Sequence, residues 1–559
     1  MKRSVFTLII LMFCFFPKAQ NEFITTWKPA IYPNQSAANA SSPSTTSQAW
    51  APFRGSNYTI YWEEVGYPSH NMTMNNVTST HQVLLDFGTP LNPLIQNATY
   101  KVKVTSGNGN FHSITFRDDF QNMSQNLFHG DSSKIIEINQ WGNTVWSSMR
   151  GAFFGCRNVN MIATDIPNLN NVSDMSYMFG NCEALTGNTT FNNWNTSAVT
   201  TLAGTFSGCL LFNQPIGNWN TSNVQNMTST FTSAQNFNQP IGNWNTSNVT
   251  TMASMFNTAK SFNQPIGSWN TASLTNVSYM FSNAWAFNQP IGNWNTSQIN
   301  TMEGMFAWTK AFSQPIGNWN TSNVTTMNSM FFTATAFNQP IGNWNTSKVT
   351  TTNAMFFTAT AFNQDLSNWN TSLITNSQSM FNGASSFNQN LGSWNLSSLL
   401  LGQGMFFNSG LNCQNYDSTI YGWSLNPATP NNISLQSASP LTYTHPAAVA
   451  ARNYLINTKG WTFIGDTYNP TCESDLSTSE VTLANELSIY PNPASDYIYF
   501  KGEKNVESYK IFDSSGRIVL QNNFSSDKNE IDVNTLPKGN YILQLKAKDS
   551  VKTFKFIKK

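Results

Sequence analysis

A 25-residue block recurs through the middle of this chain, and its fixed period constrains the fold more than any other feature does. The block is regular from about residue 193; four copies contain Phe-Asn-Gln-Pro-Ile-Gly-Asn-Trp-Asn-Thr-Ser, beginning at Phe212, Phe237, Phe287 and Phe337, and the other copies vary this string. The tryptophans of successive copies lie on one lattice: Trp194, Trp219, Trp244, Trp269, Trp294, Trp319, Trp344, Trp369 and Trp394. Because a unit this short cannot bury a hydrophobic face alone, each copy must stack on its neighbours. The sequence therefore predicts a solenoid of 25-residue coils.

Within one repeat, two segments carry the apolar residues. Met252, Met255 and Phe256 have the i, i+3, i+4 spacing that places three side chains on one face of a helical turn. Residues 262–266 alternate like a short strand, with phenylalanine and isoleucine on one face. We therefore predict a mainly β, leucine-rich-repeat-like fold with short helical turns. Its parallel ladder is expected at residues 262–266 and their equivalents, around a core of stacked tryptophan and phenylalanine.

The chain contains unusually few charges, and this bears on its partners. Asp, Glu, Lys and Arg make up 10% of the 559 residues, and the formal net charge is +1. An ordinary globular protein has about 25% of such residues. Phosphate binding requires clustered lysine and arginine, and the sequence has no basic stripe. We expect no nucleic-acid partner.

The N-terminus has the layout of a secretory signal peptide. Lys2 and Arg3 precede an apolar run that ends near Phe16, so residues 1–20 are expected to be removed on export. No later stretch has the roughly 20 apolar residues that a membrane-spanning helix needs. We expect a chain that is secreted or held at the outer cell surface and has no transmembrane segment.

Composition and turn signals divide the remaining chain into further segments. Short alternating runs predict a small β domain before the repeats and a β-sandwich after them. The predicted organisation is a flexible segment at 21–50, a small β domain at 51–113, the repeat solenoid at 114–410, a C-terminal cap at 411–472, a linker at 473–485 and the β-sandwich at 486–559.

The cysteines outside the signal peptide fall into two groups. Cys413 and Cys472 bracket the non-repetitive cap and are candidates for a disulfide in an oxidising compartment. Cys156, Cys182 and Cys209 are spaced 26 and 27 residues apart, close to the repeat period, which favours small buried residues in one column of successive coils. The alternative is a metal or redox site, but the CxxC-type spacing of a zinc site is missing. We therefore predict no metal and no cofactor.

The repeats resemble a known family of surface proteins. Residues 244–256 read Trp-Asn-Thr-Ser-Asn-Val-Thr-Thr-Met-x-x-Met-Phe, and residues 138–146 and 175–179 are similar to the start of such an array. This pattern resembles the leucine-rich-repeat variant of BspA-like bacterial surface proteins over about residues 135–470. The resemblance implies a surface-displayed or secreted protein, for which adhesion is the usual role.

The C-terminal segment resembles a secretion signal domain. Its motifs are Tyr-Pro-Asn-Pro-Ala at 490–494, Asp-Ser-Ser-Gly-Arg at 513–517, Leu-Pro-Lys-Gly-Asn-Tyr at 536–541 and the basic end at 555–559. Residues 486–559 thereby resemble the C-terminal sorting domain of type IX secretion substrates of Bacteroidetes. The resemblance implies contact with the secretion machinery and passage across the outer membrane.

Catalytic motifs are missing from the sequence. Between residues 184 and 412 there is no histidine, and Glu303 and Asp365 are the carboxylates. Catalysis requires positioned acids, bases or nucleophiles. Glu63 and Glu64 are adjacent, so on a strand they would point to opposite faces, and a surface turn is favoured over an acid/base pair. We predict that the chain is not an enzyme and has no catalytic residues.

Positions that differ between copies are the best candidates for partner binding, since core positions must repeat. In the connector after each Met-Phe pair, consecutive repeats carry Trp285, Trp308, Phe332 and Phe357 where other copies have Asn, Thr or Ser. We interpret these rings as an exposed apolar strip that grips a partner. The alternative is that they pack on the connector itself.

Together these observations predict an exported, non-enzymatic adhesion or binding scaffold. Its expected partner is an extracellular protein or glycan. The alternative is a structural spacer or surface-coat component whose repeats bind no ligand and which projects the N-terminal β domain as the binder.

Overall fold

A computed structural model describes residues 21–31, 40, 42–120, 128–476, 488–501, 506–513, 515–524, 529–547 and 550–559. The chain divides into two compact units, Met1–Ser474 and Asp475–Lys559. The fold is mainly β with few helices, and the sheets of the described residues are open. The predicted signal peptide and most of the predicted linker lie outside the described residues.

The first unit begins with a mainly antiparallel sheet. Its strands and those of a neighbouring pair are β1 (Phe23–Trp27), β2 (Gln48–Ala51), β3 (Phe53–Glu64), β4 (Tyr67–Ser79), β5 (Val83–Asp86), β6 (Tyr100–Thr105), β7 (Asn110–Ile114), β8 (Ile135–Gln140) and β9 (Asn160–Met161). The sheet order is β4-β3-β6-β1-β8-β9, with β7 paired to β3, while β2 and β5 pair with each other. A short 3-10 turn at Ile95–Asn97 precedes β6.

Strand β1 lies in the segment that the sequence predicted to be flexible. It is hydrogen-bonded to β6 on one side and to β8 on the other, and Phe23 and Trp27 are fully buried. The low apolar content of 21–50 as a whole concealed this strand, because its order comes from distant partners rather than from local sequence. The sheet also includes β8 and β9, which pair in parallel, so it runs directly into the repeats without a break at residue 113.

The repeats are joined by a ladder of single parallel bridges, one per copy. The bridged residues are Asp174, Thr201, Asn226, Thr251, Asn276, Thr301, Thr326, Thr351, Asn376 and Leu401. Our prediction that the ladder follows residues 262–266 is wrong. Pro265 has no N–H group to donate, and Asn263 N instead donates to the side-chain Oδ1 of Asn238 at 3.0 Å.

The predicted helical turn is a hydrogen-bonded turn that does not continue as a helix. Met255 N donates to Met252 O at 3.1 Å, but Met252 N and Phe256 N donate to the next repeat, at 3.0 Å and 2.9 Å. Ser254 and Thr258 have φ of +56° and +61°. Left-handed residues break the right-handed helix and turn alternate N–H groups towards the neighbouring copy.

Columns of aromatic rings fill the interior of the repeats. Phe256 stacks on Phe281 at 5.7 Å between ring centroids, and Trp269 stacks on Trp294 at 6.4 Å with 10° between their planes. The phenylalanine column begins at Phe153, whose ring stacks on that of Phe179 at 5.5 Å between ring centroids. A 3-10 turn at Thr189–Asn193 precedes the first regular tryptophan. The expectation that the periodic rings are core residues is confirmed, since each is buried.

The non-repetitive segment after the repeats contains α1 (Cys413–Leu425), β10 (Thr442–Tyr443), α2 (Pro446–Asn457) and β11 (Thr467–Tyr468). Trp423 of α1 stacks on Phe406, the last phenylalanine of the column, at 5.9 Å. A disulfide joins Cys413 to Cys472. This segment therefore covers the end of the aromatic core.

The second unit has two antiparallel sheets. They are built from β12 (Ser488–Tyr490), β13 (Tyr497–Lys501), β14 (Val506–Phe512), β15 (Ile518–Asn523), β16 (Glu530–Asp532), β17 (Gly539–Ala547) and β18 (Ser550–Lys558), in the orders β12-β13-β16 and β15-β14-β17-β18. Residues of both sheets, including Ile498, Ile511 and Leu543, share one hydrophobic core.

Candidate binding surface on the repeats

The tryptophan columns are not available to a ligand. Trp294 is 4% exposed, and its indole Nε1 donates to the carbonyl oxygen of Ile266 at 3.1 Å. Equivalent bonds tie most copies to the preceding one. A sugar cannot stack on rings that are covered by their own neighbours. Any recognition by aromatic side chains must use residues outside these columns.

Three of the four predicted partner-binding residues lie together. The rings of Trp308 and Phe332 are 5.4 Å apart, and those of Phe332 and Phe357 are stacked at 4.6 Å with 5° between their planes. Trp308 is 42% exposed, and the two phenylalanines are half-buried. We call Trp308, Phe332 and Phe357 the ring strip. It extends across three successive repeats beside the buried core.

Trp308 reaches the surface because its backbone is left-handed. Its φ is +59°, and its N–H donates to the carbonyl oxygen of Phe332 at 2.6 Å. A bulky residue in this conformation is rare because its Cβ approaches the following carbonyl group. Other repeats have Thr258, Thr333 or Thr358 at this position. The left-handed backbone conformation at this position therefore recurs from copy to copy, whereas the tryptophan side chain is specific to the repeat that contains Trp308.

Trp285, the fourth predicted residue, has different neighbours. The Nζ of Lys260 lies 4.6 Å from the centroid of its ring, and the Nζ of Lys310 lies 4.7 Å from it. These lysines occupy the same position one repeat before and one repeat after Trp285. The sequence analysis missed them, although the 25-residue offset from an exposed tryptophan was a usable signal. We call Lys260, Trp285 and Lys310 the lysine clamp.

The other charges near these residues have partners of their own. Glu303 accepts a hydrogen bond of 2.6 Å from the hydroxyl of Tyr279. Burial, together with this hydrogen bond, raises the pKa of Tyr279 to about 12. Lys348 donates to Asn323 Oδ1 at 2.7 Å. Glu303 and Lys348 keep their charges, but each is held by a hydrogen bond to a neutral side chain of the array.

The adjacent glutamates of the N-terminal sheet are on opposite faces of β3, as the sequence predicted, but they do not form a surface turn. Glu63 pairs with Lys103 at 3.0 Å. Glu64 is buried and accepts hydrogen bonds from His70 Nδ1 at 2.6 Å and from the backbone N–H groups of Leu91 and Asn92, both at 2.8 Å. The carboxylate therefore fixes a loop whose exposed apolar residues are Leu91, Leu94 and Ile95.

The three cysteines with repeat-like spacing are buried free thiols in one column. Cys182 Sγ and Cys209 Sγ lie within hydrogen-bond distance of backbone carbonyl oxygens of earlier residues, Phe153 at 3.1 Å and Phe179 at 3.0 Å. Burial raises the pKa of each thiol. Such thiols are unreactive. In the part of the chain that the structure describes, no cluster of metal-ligand side chains occurs.

Comparisons with known families identify two parts of the chain. Residues 147–244, 215–318 and 301–423 match the family described as "Mycoplasma protein of unknown function, DUF285". Residues 488–559 match the secretion system C-terminal sorting domain. No curated protein is significantly similar to the chain.

These matches establish a repeat protein that is delivered to the cell surface by type IX secretion. The sorting domain implies interaction with the secretion machinery. Among the helices of the described residues, none is long and apolar enough to cross a bilayer.

Proposed function

We propose that this exported chain is a non-enzymatic binding scaffold of the BspA-like type, whose repeats form a solenoid and hold an extracellular protein or glycan on the ring strip. The repeating core gives the scaffold rigidity, because each copy is bonded to the next through backbone and side chains. The variable connector supplies the contacts. Adhesion of the cell or of the released protein to a surface is the resulting activity.

The observation that carries this proposal is the exposure of large rings at positions where the fold does not require them. The core needs the tryptophan and phenylalanine columns in every copy, but Phe332 and Phe357 are replaced by Asn257 and Asn382 elsewhere without a change in the backbone pattern. Exposed, contiguous apolar rings on a soluble protein mark interaction sites. Aromatic side chains are also enriched in protein interfaces, and tryptophan is among the residues that dominate their binding energy.

The proposal is tested with the mature full-length chain. Trp308→Thr, Phe332→Asn and Phe357→Asn are combined, because these are the residues that other copies carry and they preserve the repeat. Attachment to host cells and to a glycan array is then measured. A loss of attachment with unchanged thermal unfolding is expected.

A matched control is available in Leu373→Asn. Leu373 is 49% exposed in the same array, and Asn248 or Asn323 stands at its position in other copies. This variant should attach like the wild type. If the triple variant also attached normally, the ring strip would be rejected as the contact surface.

The alternative, a spacer that projects the N-terminal sheet, is supported by the exposed loop residues Leu91, Leu94 and Ile95. Because β1 pairs with β8, cutting the chain at residue 113 would break the sheet, so substitutions are better than fragments. Replacing the three loop residues with serine should leave attachment intact if the ring strip is the contact. Loss of attachment in this variant alone would favour the spacer. Turnover of a polysaccharide by the wild-type chain would contradict a non-enzymatic role.

A further inference from the structure

We infer that the lysine clamp is a subsite for an acidic polysaccharide. This inference rests on the proposed function, since it assigns a ligand class to the same face of the repeats. It goes beyond that proposal by adding residues outside the ring strip and by requiring a negative charge on the ligand.

The clamp holds two positive charges in place before any ligand arrives. The two ammonium groups lie at 4.6 Å and 4.7 Å from the same indole centroid, so they are at most about 9 Å apart. The face of an aromatic ring attracts a cation, which restricts the motion of a flexible lysine. Trp285 therefore acts as a spacer that presents both ammonium groups at a set separation.

The two charges are not neutralised by the protein. Within the described ranges, no carboxylate forms an ion pair with Lys260 or Lys310. Glu303, which belongs to the same repeat as Lys310, is bonded to the hydroxyl of Tyr279 instead. Like charges at this separation repel each other, and a bound anion would relieve that repulsion. The chemistry of the clamp therefore selects an anionic ligand.

The arrangement fits a linear polymer better than a small anion. Lys260 and Lys310 come from repeats on either side of Trp285, so their ammonium groups flank the ring along the direction of the repeats. A single phosphate or carboxylate is bound by donors that converge on one point. A chain with acid groups at intervals would place one group at each lysine.

The adjoining rings favour a polysaccharide over an acidic protein segment. Trp308 lies two residues before Lys310, and it leads to Phe332 and Phe357 in the following repeats. Trp308 is 42% exposed, so its flat, rigid ring can pack against the apolar C–H face of a sugar, and the half-buried Phe332 and Phe357 extend the apolar surface beside it. A polyuronate or a sulfated glycan offers both this repeating face and the charges, whereas an acidic peptide offers the charges alone.

The test measures binding of defined polymers to the mature full-length chain. The probes are polygalacturonate and dextran sulfate, with neutral dextran, polyglutamate and single-stranded DNA as comparisons. The variant is Lys260→Gln with Lys310→Gln, and Lys260→Arg with Lys310→Arg keeps the charges. Lys348→Gln is the matched control, because Lys348 lies in the same array but contacts Asn323.

We expect at least one acidic glycan to bind the wild type, with an affinity that falls as salt is added. The double Gln variant should bind it roughly fivefold to tenfold more weakly, while the double Arg variant and the Lys348 variant should retain most of the affinity. Attachment of the triple ring-strip variant to host cells tests the proposed function, whereas glycan binding by the lysine variants tests the lysine clamp. If the wild type attached to cells through the ring strip but bound no acidic glycan, this inference would fall and the proposed function would stand.

Two further results would overturn the clamp as a glycan subsite. One is binding of polyglutamate or single-stranded DNA as strong as that of the acidic glycans, which would assign it to polyanions of another class. The other is glycan binding that the double Gln variant retains in full, which would place the site elsewhere.

Discussion

The indole Nε1 of Trp294 donates a hydrogen bond of 3.1 Å to the carbonyl oxygen of Ile266, which lies 28 residues earlier in the chain. Both residues are buried. Trp294→Phe would keep an aromatic ring in the column and remove this bond, while the backbone N–H of Trp269 still donates to the same carbonyl oxygen at 3.2 Å. Because one buried hydrogen bond is lost and no polar group is left unpaired, we expect the free energy of unfolding to fall by about 1 kcal/mol. Urea unfolding of the mature chain measures this loss.

The control for that variant is Trp285→Phe, which makes the same chemical change at a 42% exposed position. A surface substitution of this kind is expected to change the free energy of unfolding by no more than about 0.5 kcal/mol. Equal losses in the two variants would show that the buried hydrogen bond is not the cause.

A second prediction concerns the left-handed residue of each turn. Ser254 has a φ of +56°, a conformation that glycine adopts without a steric penalty. We expect Ser254→Gly to raise the free energy of unfolding by about 0.5 kcal/mol, since the relief of strain exceeds the added entropy of the unfolded chain. Ala253→Gly, one residue earlier at an ordinary φ, should lower it by a similar amount. Chemical unfolding of both variants distinguishes them, and the same sign in both would refute the explanation.

A third prediction concerns Tyr279 and Gly304, which occupy the same position in consecutive repeats. A Cβ added to Gly304 would collide with the ring of Tyr279, and Gly304 has a φ of +58°. Gly304→Ala should therefore destabilise the array, by about 1–3 kcal/mol. Combining it with Tyr279→Ser, the residue found at Ser254, removes the obstruction. The double variant should be more stable than the sum of the single changes implies, and simple additivity would contradict the collision.

The repeat period allowed the aromatic columns to be predicted because one repeat is one step of the stack. Any residue that recurs every 25 positions, such as Trp269 and Trp294, must then face its own copies. The position of the ladder could not be predicted in the same way. Alternation at residues 262–266 indicated a strand, but the bonds there are made by asparagine side chains. The local pattern reports which side chains are buried, not which groups carry the hydrogen bonds.

Other features depend on contacts that the local sequence does not encode. The left-handed turn positions carry Ser254, Tyr279 and Gly304 in successive copies, so no residue type marks them. Strand β1 is ordered by β6 and β8, which lie far along the chain. By contrast, the lysine clamp could have been found from the sequence, because its three residues occupy one lattice position. The sequence alone could not show that the ammonium groups of both lysines lie against the ring of Trp285.

A fourth prediction concerns acid stability of the N-terminal sheet. Burial by itself would raise the pKa of Glu64, but the hydrogen bonds from His70, Leu91 and Asn92 outweigh it and hold the pKa of this carboxyl below its usual value of 4.5. A carboxyl whose pKa is lowered by folding stabilises the fold at higher pH, and this stabilisation is lost as the pH falls below that usual value. We therefore expect the melting temperature to fall as the pH is lowered below 4.5.

Substitution of Glu64 separates its contribution from those of other carboxylates. Glu64→Gln should cost about 2 kcal/mol at pH 7, since a charged acceptor of several hydrogen bonds is lost. It should also flatten the acid limb of the melting-temperature profile. Glu137→Gln on β8 serves as the comparison, because its carboxylate is hydrogen-bonded to Thr26 and Asn139 but not to a histidine or a backbone N–H group of a loop. An unchanged acid limb in Glu64→Gln would contradict the assignment.

The last prediction concerns the cysteines, because burial and bonding divide them into two classes. The disulfide between Cys413 and Cys472 closes a segment with a sequence separation of 59 and ties α1 to the end of the cap, whereas Cys156, Cys182 and Cys209 are buried and free. Mild reduction of the folded chain should expose the first pair to an alkylating reagent and leave the other three protected until denaturant is added. Loss of the cross-link should lower stability by up to about 4 kcal/mol, since a long loop is no longer closed in the unfolded state. Mass spectrometry of alkylated peptides, with and without reductant, measures both classes. Labelling of Cys182 in the folded chain would contradict its burial, and labelling of Cys413 without reductant would contradict the disulfide.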